Sequence, residues 1–233
     1  MTKHLLASGL LAGFVVALLA TLLQFAFLEP GILLAERYET GALQHFAGAG
    51  PDLAATATAT TDDHAPAQAP YWQRPAKTLL AMIITYGGYG LVMVAGMALA
   101  SHFDRKVTGP EGILWGVAGF AAVSLAPALG LAPALPGVEG ADLADRQIWW
   151  LLCAGATAAG LALLAYGQGL LPRLAAVILL AVPHIIGAPH LADFTGILPP
   201  ELAAQHAARS LGLGLVAWVT LGGLAQHFWA RQG

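Results

Sequence analysis

Residues 5–28 read LLASGLLAGFVVALLATLLQFAFL, 24 residues without a charge and with one amide side chain, Gln24. About 20 apolar residues at 1.5 Å per residue cross the hydrocarbon of a bilayer, so this stretch predicts a membrane-spanning helix. Lys3 and His4 before it resemble the start of a secretory signal. The apolar run is too long for a signal, and no clean small-x-small cleavage site follows it, so it reads as a retained first span. The whole chain agrees. Of its 233 residues, 58% are hydrophobic and 10% are charged, with a mean hydropathy of +0.70. Ordinary soluble domains carry roughly 25% charged residues; the few here cannot cover a water-exposed surface. An integral membrane protein follows, and a soluble enzyme is excluded.

Working outward, further apolar runs lie at about 77–101, 112–131, 147–167, 171–188 and 210–230. The expected fold is all-α: a polytopic transmembrane bundle of six spans, or five if the run bracketed by Pro172 and Pro183 does not cross. Six spans put both termini on one side. By count the Lys and Arg residues are even, with Lys3, Arg105, Lys106, Arg173 and Arg231 on that side and Arg37, Arg74, Lys77, Arg146 and Arg209 on the other, but the first set sits at termini and in short loops, where the positive-inside bias is read best. Eleven of the thirteen acids fall on the other side. Cytoplasmic termini are therefore expected. The loop 31–76 is then external: a surface helix over Gly31–Phe46, followed by a mobile Ala/Thr/Pro-rich stretch over Leu53–Pro70.

Prolines recur at span ends, as Glu29-Pro30, Pro127-x5-Pro133 and Pro183-x5-Pro189. After each comes an acidic stretch and then Arg74, Arg146 or Arg209 ahead of the next span. Three repeated helical hairpins are one reading; prolines that only mark helix ends are the other. Gly9-x3-Gly13 and Gly112-x3-Gly116 are the small-x3-small pattern of closely packed membrane helices. Packing inside one bundle accounts for them, and homo-oligomerisation is not required. The lone Cys153 excludes an intramolecular disulfide. No phosphate loop is present, so transport would draw on a gradient or a partner. Nor is there a basic stripe for nucleic acid.

Polar groups at membrane depth are costly and need a reason. On the predicted outer side, Gln24 and Glu29 close the first span, and Glu36 and Glu39 follow at i, i+3 on one helical face. His184 follows Pro183 in PHIIGAPH, with His190 and Asp193 beyond. A proline there frees carbonyls of the preceding turn, and imidazole suits first-row transition metals. Asp142 and Arg146 are spaced as an ion pair, ahead of Trp149 and Trp150 at the water interface. Glu201 and His206 are loop polar groups, and Asp62-Asp63-His64 lies in the mobile stretch. Carboxylates can hold a divalent cation; each of these groups also reads as ordinary capping, ion pairing or solvated surface.

The first span through Gln24 and Pro30 to Ala35-Glu36-x-Tyr38-Glu39, Leu125-Ala126-Pro127-Ala128-Leu129-Gly130-Leu131 with Pro133, Leu135, Pro136 and Gly137, Asp142, Arg146-Gln147-x-Trp149-Trp150, and Pro183-His184-x-x-Gly187-Ala188-Pro189 occur in an order that spans almost the whole chain. In these stretches the sequence resembles the CbtA-type membrane proteins, a family of predicted cobalt transporter components. The resemblance implies a bacterial inner-membrane protein tied to cobalt supply for cobalamin, and a small single-span partner with a histidine cluster. Such proteins are usually described with five spans, and the Ala/Thr-rich insertion departs from them.

The expected function is a cobalt (or nickel) uptake component, not an enzyme, embedded in the lipid bilayer. The divalent metal is its transported substrate, and no organic cofactor is expected. Its metal ligands are sought among His184, Glu36, Asp142, Gln24, Glu29 and His190. For cobalt(II), geometry rather than raw affinity sets selectivity. His184, Glu36 and Asp142 are then expected to converge on one cavity. Two other readings are a non-transporting scaffold and a six-span small-molecule binding component with a tryptophan-lined pocket.

Overall fold

The computed structural model describes residues 2–45, 72–102, 107–192 and 196–232, and the regular structure in them is helical. The helices are α1 (Thr2–Leu23), α2 (Glu29–Glu39), α3 (Gln73–His102), α4 (Gly109–Phe120), α5 (Ala126–Ala128), α6 (Leu143–Tyr166), α7 (Leu170–Ile186) and α8 (Pro200–Gln232). Two π-turns, Gln24–Leu28 and Ala121–Leu125, join α1 to α2 and α4 to α5. Thr2–Glu39 and Gly109–Ala128 therefore each run on as one helical stretch, and the predicted surface helix is the prolongation of the first span.

Among the described residues, five stretches are long and apolar enough to cross a membrane: Thr2–Glu39, Gln73–Ser101, Gly109–Ala128, Leu143–Tyr166 and Pro200–Arg231. The fold is the all-α membrane bundle that the hydropathy pattern predicts. The proline-bracketed run forms α7, which has 17 residues and is shorter than the other five. The Ala/Thr/Pro-rich stretch Leu53–Pro70 and the Asp62-Asp63-His64 cluster lie outside the described residues.

Prolines explain where the helices widen. Proline lacks an N–H, and its ring clashes with the carbonyl four residues back. For Pro30 and Pro127 those carbonyls belong to Ala26 and Val123, each inside a π-turn. The wider turn moves them aside. Glu29 and Ala126 then donate five residues back, to the carbonyls of Gln24 and Ala121.

Glycine decides which helices meet. A Cβ on Gly13 would overlap the Tyr86 carbonyl, and one on Gly90 the Gly9 carbonyl, so α1 and α3 touch backbone to backbone. Gly116 lies in the same way on the Trp218 carbonyl, and Gly222 on that of Gly112, which binds α4 to α8. Both small-x3-small patterns are thus used within the chain. Between these two crossings lies the main core of Val16, Met93, Val94, Met97, Phe120, Trp218 and Leu221. Below it, Thr108 and Glu111 form a capping box that starts α4.

The three-hairpin arrangement is only partly realised. The first hairpin, α1 with α3, is closely packed, and α6 returns along the second π-turn and α5. The third hairpin is corrected: α7 packs on α6, whereas α8 packs on α4 and α1. Glycine at Gly112, Gly116 and Gly222 makes α4 the better partner for α8, so the α6–α7 pair is inserted between them in the chain. At the α2 end a second, smaller cluster forms from Ala35, Leu135 and Leu198, with Ile32, Tyr38 and Leu202 around it.

Candidate metal-binding site

The PHIIGAPH stretch lines an open cavity. Pro183 sits inside α7, which ends three residues later because Gly187 turns the chain at φ 84°. That left-handed backbone suits glycine. The Pro183 carbonyl accepts from the Gly187 N–H at 3.1 Å and from Trp149 Nε1 on α6 at 3.2 Å. Trp149 is buried, and its ring meets the His184 ring edge-on with centroids 6.2 Å apart. Gly130 makes room: a Cβ there would lie 2.6 Å from the Ala188 Cβ and 2.7 Å from the Trp149 ring.

These residues enclose an open cavity of about 390 Å³, lined by Leu129, Gly130, Trp149, His184, Gly187, Ala188 and His190. His184 and His190 therefore share one space whose other walls are apolar or backbone. Imidazole suits first-row divalent metals, so a cavity lined by two histidines is the place to seek a metal ligand in this fold. Trp149 ties α6 to the helix end that carries His184. Trp149→Phe keeps an aromatic ring but loses the Nε1–H donor. It is expected to weaken cobalt binding about tenfold, as loss of a ligand-orienting group does, with the helix content unchanged; cobalt titration of the purified variant checks this.

The other sequence-selected residues sit elsewhere. Glu29 and Glu36 are two helical turns apart on one face, and both reach Arg74 in the first turn of α3. Arg74 holds Glu36 in a two-pronged pair at 2.6 and 3.0 Å, and its Nε lies 3.1 Å from Glu29. Glu39 is exposed and stands beside Gly137. Gln24 opens the first π-turn and is half-buried.

Asp142 is the N-cap of α6 and accepts from the backbone N–H groups of Ala144 at 2.8 Å and Asp145 at 3.4 Å. The expected Asp142–Arg146 ion pair is not made: the cap engages the carboxylate, and the guanidinium lies against Gly140. Asp142→Ala is expected to cost about 1 kcal/mol of stability, the usual value of an N-cap, in thermal unfolding. Trp149 is likewise no interfacial anchor; it is buried under α7. His206 lies 3.4 Å from Ser210 on α8, and Glu201 is in that helix's first turn. Asp193 lies outside the described residues.

The expected convergence of His184, Glu36 and Asp142 is not seen: among the described residues, no three of His, Cys, Asp and Glu gather into a group that could hold a metal ion. What the fold brings together is the histidine pair on one side and the Arg74 carboxylates on the other. Arg74 is the residue that the sequence left unassigned, although its place just ahead of a span and opposite an acid-rich segment was the available signal.

A family comparison settles what kind of protein carries this cavity. The model described as "Probable cobalt transporter subunit (CbtA)" matches residues 2–230. The chain belongs to the CbtA family. A CbtA-family chain is a membrane component of a cobalt transport system, and the bundle of membrane-length helices fits that role. No curated protein and no solved structure matches the chain.

Proposed function

We propose that this CbtA-family chain is the membrane component of a bacterial cobalt uptake system. It captures the divalent ion at the end of the bundle bearing α2 and passes it inward for cobalamin supply. The observation that carries the reading is the cavity in which His184 and His190 face one space beneath Trp149. The metal is substrate, and His184 and His190 are its first protein ligands in this reading. Gln24, Glu29, Glu36 and Asp142 lie on the same end of the chain's helices and supply negative potential and polar groups along the approach. Nickel shares the same ligand preferences and is the expected competitor.

The shorter α7 runs back along α6 to the level of Trp149, so in this account the α2 end faces outward and both termini lie in the cytoplasm of an inner-membrane protein, as the Lys and Arg of the termini and short loops favour. Two histidines do not complete a cobalt shell. The remaining positions fall to water or to a partner protein, which suits a chain whose family is described as a transporter subunit. Radiolabelled cobalt accumulation in cells expressing the full chain tests the function. Accumulation above vector-only cells, reduced by excess nickel and unaffected by magnesium, supports it. Accumulation equal to vector-only cells, with or without co-expressed partner proteins, contradicts it.

A further inference from the structure

The first π-turn lies between the two hydrophobic clusters, and the second lies at the edge of the main core. Along the first helical stretch, Ala12 and Val16 belong to the main core, Ile32 and Ala35 to the smaller cluster, and Gln24–Leu28 separates them. On the third, Phe120 belongs to the main core and Val123 of the second π-turn packs against it, while Leu135, in the chain beyond the end of that stretch, belongs to the smaller cluster. Below the turns, the helices are fixed by backbone contact at Gly9, Gly13 and Gly90, and at Gly112, Gly116 and Gly222. Above them, α2 and the α5–α6–α7 unit have no such crossings with the base, and the α6–α7 pair meets the rest mainly through the second π-turn and α5.

Leu202 on α8 packs into the smaller cluster beside Ala35, and the polar contacts across the boundary are few. Arg209 on α8 donates to the Phe27 carbonyl in the first π-turn at 3.4 Å, and Trp218 on α8 donates to Ser124 Oγ in the second at 3.2 Å. Arg74 starts α3, a 30-residue helix clamped to α1 by glycine, yet its guanidinium holds Glu29 and Glu36 at the start of and along α2. Tilting α2 over the base must break these ion pairs. Arg74 is about half exposed, so they are of the weak, breakable kind. A π-turn is a known place for a helix to bend, because its hydrogen bonds can shift register without leaving the helix.

We propose that the two π-turns are paired hinges, on which α2 and the α5–α6–α7 unit tilt over the glycine-locked base, with the Arg74 ion pairs latching the state described here. This conformational device stands whether or not the cargo is cobalt. It gives the two-histidine cavity, which rides on the tilting unit, a way to change its surroundings by hinge motion.

Spin labels at Thr40→Cys and Val92→Cys, in the full chain carrying Cys153→Ala and held in lipid nanodiscs, report the first hinge. Thr40 ends α2, and Val92 is an exposed position on the clamped part of α3. Arg74→Gln is expected to raise a second, longer-distance population about fivefold, the scale of losing one well-formed exposed pair; Arg209→Gln is expected to raise it too. Hydrogen exchange on the same proteins locates the bend. Faster exchange confined to 24–28 is expected, and Ser124→Ala is expected to do the same for 121–125. A single distance unchanged by both arginine substitutions overturns the proposal. So does a second population accompanied by faster exchange throughout α2, which would mean that the helix unravels instead of bending.

Discussion

Cells expressing the chain with alanine at both His184 and His190 are expected to accumulate no more cobalt than cells without it. Each single substitution is expected to lower apparent affinity by about tenfold to a hundredfold, the range seen when even supporting groups of a metal site are lost. The reasoning is geometric. His184 and His190 are the imidazoles that line the same cavity, and its other walls, Leu129, Gly130, Trp149, Gly187 and Ala188, offer carbon, an indole N–H already given to a carbonyl, and backbone. Removing both imidazoles leaves that cavity without a nitrogen ligand from a side chain. Both residues are exposed, so their loss opens no void in the core. The double variant should fold and reach the membrane at the wild-type level, which immunoblotting of membranes verifies. Replacing Glu36 gives the contrast. Its carboxylate is engaged by Arg74, so Glu36→Gln should slow capture at low cobalt through lost negative potential, while the saturated rate holds.

The largest effect on folding is expected at the glycine crossings, and the chain supplies its own controls. Gly90→Ala drives a methyl into the Gly9 carbonyl, and Gly222→Ala drives one into that of Gly112. Neither obstacle is the end of a flexible side chain, so the helices themselves must separate. Overpacking of this kind costs about 1–3 kcal/mol, occasionally more, and close approach is what binds membrane helices in the first place. Two residues away on α3, Gly88 meets nothing within 4 Å, and the neighbouring Gly223 on α8 also meets nothing within 4 Å. Alanine at these open positions should be neutral or stabilise by roughly 0.5–1 kcal/mol through better helix propensity. Thermal denaturation in detergent, read by loss of the monodisperse chromatographic peak, should therefore order the four variants as Gly90→Ala and Gly222→Ala far below wild type, and Gly88→Ala and Gly223→Ala at or above it.

What the sequence made legible follows from the range over which each force acts. The spans could be read from hydropathy because a bilayer demands about 20 apolar residues locally. Gly9-x3-Gly13 and Gly112-x3-Gly116 announced close packing, though not with which helix; that needed Gly90 and Gly222, more than 75 residues away in each case. The prolines at Pro30, Pro127 and Pro183 marked helix ends and bends. Proline spacing alone did not tell the helices that widen to a π-turn, at Pro30 and Pro127, from the one that ends three residues beyond Pro183, just before Gly187. Glu36 and Asp142 drew attention as carboxylates. Their employment by Arg74 and by the start of α6 was hidden because ion pairing across 38 residues leaves no periodic trace, while N-capping and metal ligation use the same side chain. Trp149 looked like an interfacial anchor by position alone; its burial and its bond to Pro183 arise from the α6–α7 packing.

The central claim is that His184 and His190 hold the cobalt. Pulsed electron paramagnetic resonance of cobalt(II) added to the purified full-length chain in nanodiscs tests it most directly, because nitrogen couplings from coordinated imidazole are read at the metal itself. The account predicts one bound cobalt per chain with imidazole coupling that disappears in the His184→Ala, His190→Ala double variant. Coupling that persists in the double variant, or the absence of stoichiometric cobalt binding to the wild-type chain, would contradict it.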